Sequence, residues 1–125
     1  MFTARVIDTF SAAHSLRGYQ GDCERLHGHN YRVEVSVSSA GLDSMGVVVD
    51  FRDLKRLVKE ALDELDHRYL NDLEAFREIN PSAENIARHL FSLLQPSIAA
   101  PLELTEVVVW ENDSCSVSYR GDARP

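Results

Sequence analysis

The sequence predicts an α+β fold in which two helices cover one face of an antiparallel sheet. Three observations carry this: apolar alternation of period two near the N-terminus, two helical stretches grouped in the middle, and two strand-like runs at the end. Strands separated by a helical pair, instead of alternating with helices one for one, belong to a sheet whose helices are segregated to one side.

The even positions Phe2, Ala4, Val6, Asp8, Phe10, Ala12 and His14 are mostly apolar, as on the inner face of a half-buried strand. Gly18 and Gly21 mark a loop. A second strand follows, in which Tyr31, Val33, Val35 and Val37 alternate with Arg32, Glu34 and Ser36. Val47, Val48 and Val49 form an apolar run too short for periodicity to classify, and it is compatible with an extension of the sheet.

Leu54, Leu57, Val58, Ala61, Leu62 and Leu65 then repeat at the spacing of one helix face, with Asp50 as the N-cap. The period lapses over 66–80. Pro81 and Ser82 signal the start of a second helix, which carries Ile86, Ala87, Leu90 and Leu94 and ends at Pro96. The valine-rich run 104–111, the turn residues Asn112, Asp113 and Ser114, and the run from Cys115 to Tyr119 read as a hairpin.

At 125 residues and 44% hydrophobic composition, the expectation is one compact domain over 1–125. Thirteen basic against twenty acidic residues give a formal charge of -7, which disfavours nonspecific binding of nucleic acid. Clustered arginines could still hold a small anion, because a pocket responds to nearby charges. No apolar run approaches the length of a membrane span, and the opening residues form no secretory h-region, so a soluble cytoplasmic protein is expected. In that compartment Cys23 and Cys115 would stay reduced.

The chemistry concentrates in His27-Gly28-His29. Residues i and i+2 of a strand project to one side, and the parity of His27 and His29 continues through Tyr31 and Val33. Both rings therefore face the apolar side, where a metal would satisfy an otherwise poorly solvated nitrogen. His14 ends the first strand on its own apolar parity. Antiparallel pairing would bring it beside the other two, and three imidazoles with an open position are a catalytic zinc pattern. Two other readings stay open: rings that merely bond to backbone carbonyls, and a closed structural site with Cys23 as fourth ligand.

The run Cys23-Glu24-Arg25-Leu26-His27-Gly28-His29 resembles the Cys-x-x-x-His-Gly-His signature of the 6-pyruvoyl-tetrahydropterin synthase superfamily, in its 6-carboxy-tetrahydropterin synthase branch. The three residues between cysteine and His-Gly-His mark that branch, since the 6-pyruvoyl branch has five. Further matches are Phe10-Ser11-Ala12-Ala13-His14, Val49-Asp50-Phe51, Leu65-Asp66-His67-Arg68-Tyr69-Leu70-Asn71, Asn80-Pro81-Ser82-Ala83-Glu84-Asn85, Glu111 and Tyr119-Arg120-Gly121. Together they span nearly the whole chain.

The resemblance implies a tunnelling fold (T-fold), in which sheets of several subunits form an oligomeric barrel, here a homohexamer with active sites between subunits. It implies zinc on His14, His27 and His29, and conversion of 7,8-dihydroneopterin triphosphate to 6-carboxy-5,6,7,8-tetrahydropterin on the route to queuosine. It makes Cys23 the proton-transferring residue, helped by Asp66 and His67. Adjacent residues on a strand point apart, so contact between that pair requires an irregular backbone. It places Glu111 on the amino and imino edge of the pterin, where a carboxylate accepts two parallel hydrogen bonds. Ser82 stands where the family has a threonine, and its hydroxyl could contact pterin or cap the second helix. Arg25, Arg68 and Arg120 adjoin the motifs and could meet the triphosphate. Cys115 reads as a small core or strand residue, and His89 has no partner signal.

Overall fold

The structure, a computed structural model, describes residues 1–18, 21 and 24–122. Cys23 lies outside the described residues. Strands β1 (Phe2–His14) and β2 (His27–Ser39) pair antiparallel over their full length, from Phe2 opposite Ser39 to His14 opposite His27. Helix α1 (Phe51–Asp63) follows, then a two-residue strand β3 (Arg68–Tyr69), helix α2 (Ala83–Leu94), and the hairpin β4 (Glu103–Asn112) and β5 (Cys115–Tyr119). The sheet order is β3-β1-β2-β4-β5.

The alternation legible in β1 and β2 becomes a single buried face. Ala4, Val6, Phe10 and Ala12 point the same way as Tyr31, Val33, Val35 and Val37, and Val107 and Val109 of β4 complete the layer. Leu54, Val58 and Leu62 of α1 and Ile86, Leu90 and Leu94 of α2 close over it. Each such aliphatic side chain contributes roughly 1.5–3 kcal/mol when fully removed from water. Tyr31 is fully buried and stacks on Phe10 at 4.7 Å between ring centroids. Asp50 caps α1 through Arg52 N–H, and Ser82 caps α2 through Asn85 N–H.

Three details depart from the sequence expectation. The sheet is mixed rather than purely antiparallel, because β3 pairs parallel with Ala12 and Ala13. Helix α1 stops at Asp63, and the chain turns with the N–H groups of Leu65 and Asp66 both bonded to the Leu62 carbonyl, while Leu65 stays fully buried. That turn drops Asp66 and His67 onto Ser11, and the chain then runs briefly alongside β1. The apolar run Val47, Val48 and Val49 adds no strand. The Asp43 carboxylate accepts the N–H groups of Met45 and Val47, and this side-chain turn curls the segment away from any sheet edge. No described helix is long and apolar enough to cross a membrane.

Among the described residues, no helix covers the opposite face of the sheet. Arg32 lies across the Trp110 ring at 4.5 Å, and the Trp110 indole N–H donates to Glu34 at 3.2 Å. Near the β1 and β2 ends, an open cleft of about 490 Å³ is lined by Ser11, Ala13, Gly28, Asn30, His67 and Arg68 among others.

Candidate metal centre

The β1/β2 register sets His14 against His27 and Ala12 against His29, so the three imidazoles meet at one end of the buried face. Their ring centroids lie 4.4 Å (His14 to His27), 4.8 Å (His27 to His29) and 5.1 Å (His14 to His29) apart, and one nitrogen of each falls within 4.8 Å of the others. His14 is almost wholly buried, whereas His27 and His29 are partly open to solvent.

The hydrogen bonds decide what these rings can do. His14 Nδ1 lies 2.7 Å from the Pro81 carbonyl, and His27 Nδ1 lies 2.7 Å from the Arg25 carbonyl. A carbonyl only accepts, so both Nδ1 atoms carry a proton, and in the neutral form of each ring Nε2 keeps a lone pair. The two Nε2 atoms face each other at 2.8 Å. Burial holds His14 and His29 below the ordinary imidazole pKa and so favours their neutral forms. Facing lone pairs at that distance repel unless a cation lies between them. Carbonyl bonding and metal ligation, alternatives in the sequence, are compatible here because they use different nitrogens of one ring. These residues fit a bound metal ion, with imidazole nitrogens as donors and backbone carbonyls fixing the tautomer.

Gly28 lies between His27 and His29 in sequence but on the opposite face of β2. It faces the outer cleft, where an added Cβ would make only ordinary contact with the Ala12 carbonyl at 3.7 Å. Its small size keeps the cleft floor low.

Glu111 sits where the β4/β5 register shifts between Trp110 and Asn112, a bulge that re-aims a side chain. It shares the parity of Val107 and Val109, and its negative charge favours protonation of His14, His29 and Tyr31, so its carboxylate acts on the histidine group. It also lines a small pocket of about 100 Å³ with Ala83, Glu84, Cys115 and Val117. Cys115 opens β5, so the strand half of its reading holds, but it is exposed and belongs to no core.

Asp66 and His67 do touch, with Asp66 Oδ2 2.9 Å from His67 Nδ1. The irregular backbone this demands is present, since His67 adopts the left-handed conformation with φ of 59°. Asp66 Oδ1 meanwhile accepts Ser11 N–H at 2.9 Å, and these two bonds hold its carboxyl below the usual range. The His67 ring lies open to the cleft. Ser82 uses its oxygen as acceptor for the α2 cap, which leaves its O–H free to donate. Among the arginines, Arg68 walls the cleft, Arg120 pairs with Glu106 at 2.7 Å, and Arg25 supplies the carbonyl behind His27. His89, which gave no partner signal, packs edge-on against Phe76 at 5.4 Å between ring centroids.

Tyr31 carries a role that sequence reasoning missed, because it read as one more apolar strand residue. Its hydroxyl stands 3.2 Å from His14 Nδ1, behind the ring. Its parity with His27 and His29 is the signal that could have found it.

Fold and site together define an α+β protein of the tunnelling fold with a three-imidazole centre able to hold a metal. A family model described as 6-pyruvoyl tetrahydropterin synthase matches residues 3–122. The chain belongs to the 6-pyruvoyl tetrahydropterin synthase family. It is 33% identical to the 6-carboxy-5,6,7,8-tetrahydropterin synthase of Rickettsia bellii, covering 86% of this chain and 92% of that one. It is 32% identical to a 6-pyruvoyl tetrahydrobiopterin synthase of Dictyostelium discoideum, with 92% and 93% covered. The Caenorhabditis elegans 6-pyruvoyl tetrahydropterin synthase structure superposes with a TM-score of 0.87 at 30% identity, over 97% of this chain and 96% of that one.

Proposed function

We propose that this protein is a zinc-dependent 6-carboxy-tetrahydropterin synthase, converting 7,8-dihydroneopterin triphosphate to 6-carboxy-5,6,7,8-tetrahydropterin with release of acetaldehyde and triphosphate. The observation that carries the reading is the cluster of His14, His27 and His29, whose ligand nitrogens lie within 4.8 Å of one another, with the His14 and His27 Nε2 atoms 2.8 Å apart. Zinc bound to His14, His27 and His29 would supply Lewis acidity toward oxygens of the substrate side chain. Glu111 accepts hydrogen bonds from the amino and imino edge of the pterin and sets the orientation of the ring. Ser82 offers its free O–H nearby. Cys23 moves the proton, with the Asp66–His67 pair assisting, and Asp66 holds the His67 Nδ1–H so that Nε2 is left to exchange protons. The active protein is a homohexamer in the cytoplasm and serves queuosine biosynthesis.

The three-residue interval between Cys23 and His27 and the likeness to the Rickettsia bellii synthase favour the 6-carboxy product. The likeness to the Dictyostelium discoideum protein supports the second reading, 6-pyruvoyl synthesis on the same scaffold. Incubating zinc-loaded protein with dihydroneopterin triphosphate separates them. Acetaldehyde and 6-carboxytetrahydropterin in equal amounts are expected, and a pyruvoyl product without acetaldehyde would assign the second reading. Cys23→Ala tests the noncatalytic alternative of a closed zinc module. Zinc content should stay near that of the parent while turnover falls at least a hundredfold. Loss of zinc together with unfolding would identify Cys23 as a structural ligand.

A further inference from the structure

The chain leaving His14 is gripped at alternate residues by two asparagine side chains. Asn71 Oδ1 accepts Ser15 N–H at 2.9 Å, and Asn71 Nδ2 donates to the Ser15 carbonyl at 2.9 Å. Asn80 treats Arg17 the same way, at 2.8 and 3.1 Å. A carboxamide carries both a donor and an acceptor, so each asparagine satisfies both backbone groups of one residue, as a neighbouring strand would. Arg17 returns the grip, donating through Nη1 to the Ile79 carbonyl and through Nη2 to the Asn71 carbonyl, both at 3.1 Å.

The second asparagine is tied directly to the metal centre. The Asn80 carbonyl accepts Asn85 Nδ2–H at 2.8 Å, and the next carbonyl, that of Pro81, holds His14 Nδ1–H. Asn80 therefore links three parts: the chain just after His14, the first turn of α2, and the carbonyl that orients the His14 ring. Asn71, buried, fixes the residue next to His14 itself. Neither β1 nor α2 supplies this order, since Ser15–Arg17 lies beyond the strand and 71–80 precedes the helix.

We infer that Asn71 and Asn80 are positioning residues for the metal ligand His14, setting both the backbone that carries it and the carbonyl that aims its Nε2. This rests on the proposed metal role of His14. Groups bonded to a metal ligand, as the Pro81 carbonyl is to His14, typically change metal affinity ten- to a hundredfold when removed, and Asn71 and Asn80 act one step further out, so their effect is at most about tenfold.

The test uses the full chain and zinc itself. Zinc affinity is read by competition with a chromogenic chelator, and site geometry by the visible spectrum of the cobalt(II)-substituted protein. Asn71→Ala and Asn80→Ala should each weaken zinc binding about three- to tenfold and alter the cobalt spectrum. Val58→Ala, a destabilising change in the core under α1, should lower the melting temperature and leave zinc affinity and spectrum unchanged. If Asn80→Ala fails to fold, Asn80→Asp and Arg17→Ala take its place, because each keeps most of the local packing while breaking part of the clasp. Folded variants with parental zinc affinity and cobalt spectrum overturn the positioning role and leave the metal site standing. A parent protein that takes up no stoichiometric zinc overturns both.

Discussion

His27→Ala removes one of the two facing lone pairs, so zinc content should fall from about one ion per chain to near zero and turnover by at least a hundredfold. Metal analysis after dialysis, with circular dichroism to verify the fold, checks this. Much of this centre was legible in the residues themselves. The i, i+2 spacing and shared parity of His27 and His29, and the position of His14 on its own apolar row, already place three rings on one face. The Pro81 and Arg25 carbonyls that fix the tautomers were not legible, because a backbone oxygen carries no residue-specific mark. The turn at His67 was legible only as a need for irregular backbone if Asp66 and His67 were to touch; its left-handed form was not, since positive φ is uncommon even for histidine, which enters that region more often than most residues.

His89, half-buried on α2 beside Phe76, makes a prediction of the same kind for pH. Burial lowers its pKa below the ordinary 6.5, so the unfolded chain binds the proton more readily than the folded one. Stability is then full above pH 6.5 and falls as the pH drops through that value. Urea midpoints at pH 7.5 and 5.5 should differ less for His89→Gln than for the parent. An equal difference in both proteins would show that protonation of His89 is not coupled to folding.

Among the elements, the helices were the most legible. The spacing from Leu54 to Leu62 and from Ile86 to Leu94 matches the buried sides of α1 and α2, and both caps fall on the residues that signalled them, Asp50 and Ser82. The end of α1 was overrun because Leu65 keeps the apolar period after hydrogen bonding has stopped, and burial alone does not require a helix. Strand β3 escaped because two residues cannot show a period. The element scale also separates two uses of Ser82. Ser82→Ala should cost about 1 kcal/mol of folding stability through the lost cap. If its hydroxyl also meets the pterin, KM for the substrate should rise as well, and Ser82→Asp, an alternative cap, should restore stability but not KM. Chemical denaturation and steady-state kinetics on the same variants distinguish the two contributions.

At the scale of the molecule, the two faces of the sheet are unequal. One is closed by α1 and α2, while the other exposes Ile7, stacks Arg32 on Trp110 and floors the cleft that His67 overlooks. A hexamer of 14.1 kDa chains is the assembly proposed above, and light scattering after gel filtration measures it. A monomer retaining full turnover would sink the proposal that active sites form between subunits. Overall topology was largely readable from the order of strand and helix patterns, but assembly was not, because polar residues on an open sheet face look alike whether they meet water or another subunit.

The residue-by-residue pairing of β1 with β2, His14 against His27 and Ala12 against His29, would make a metal ion held there a proofreader of the hairpin. Sliding one strand by a single residue would turn its inner row outward and scatter the imidazoles to opposite sides. The native alignment offers a three-nitrogen nest that a one-residue slip destroys, so a metal ion present during refolding would favour the native register over that slip by a factor set by its concentration over its dissociation constant.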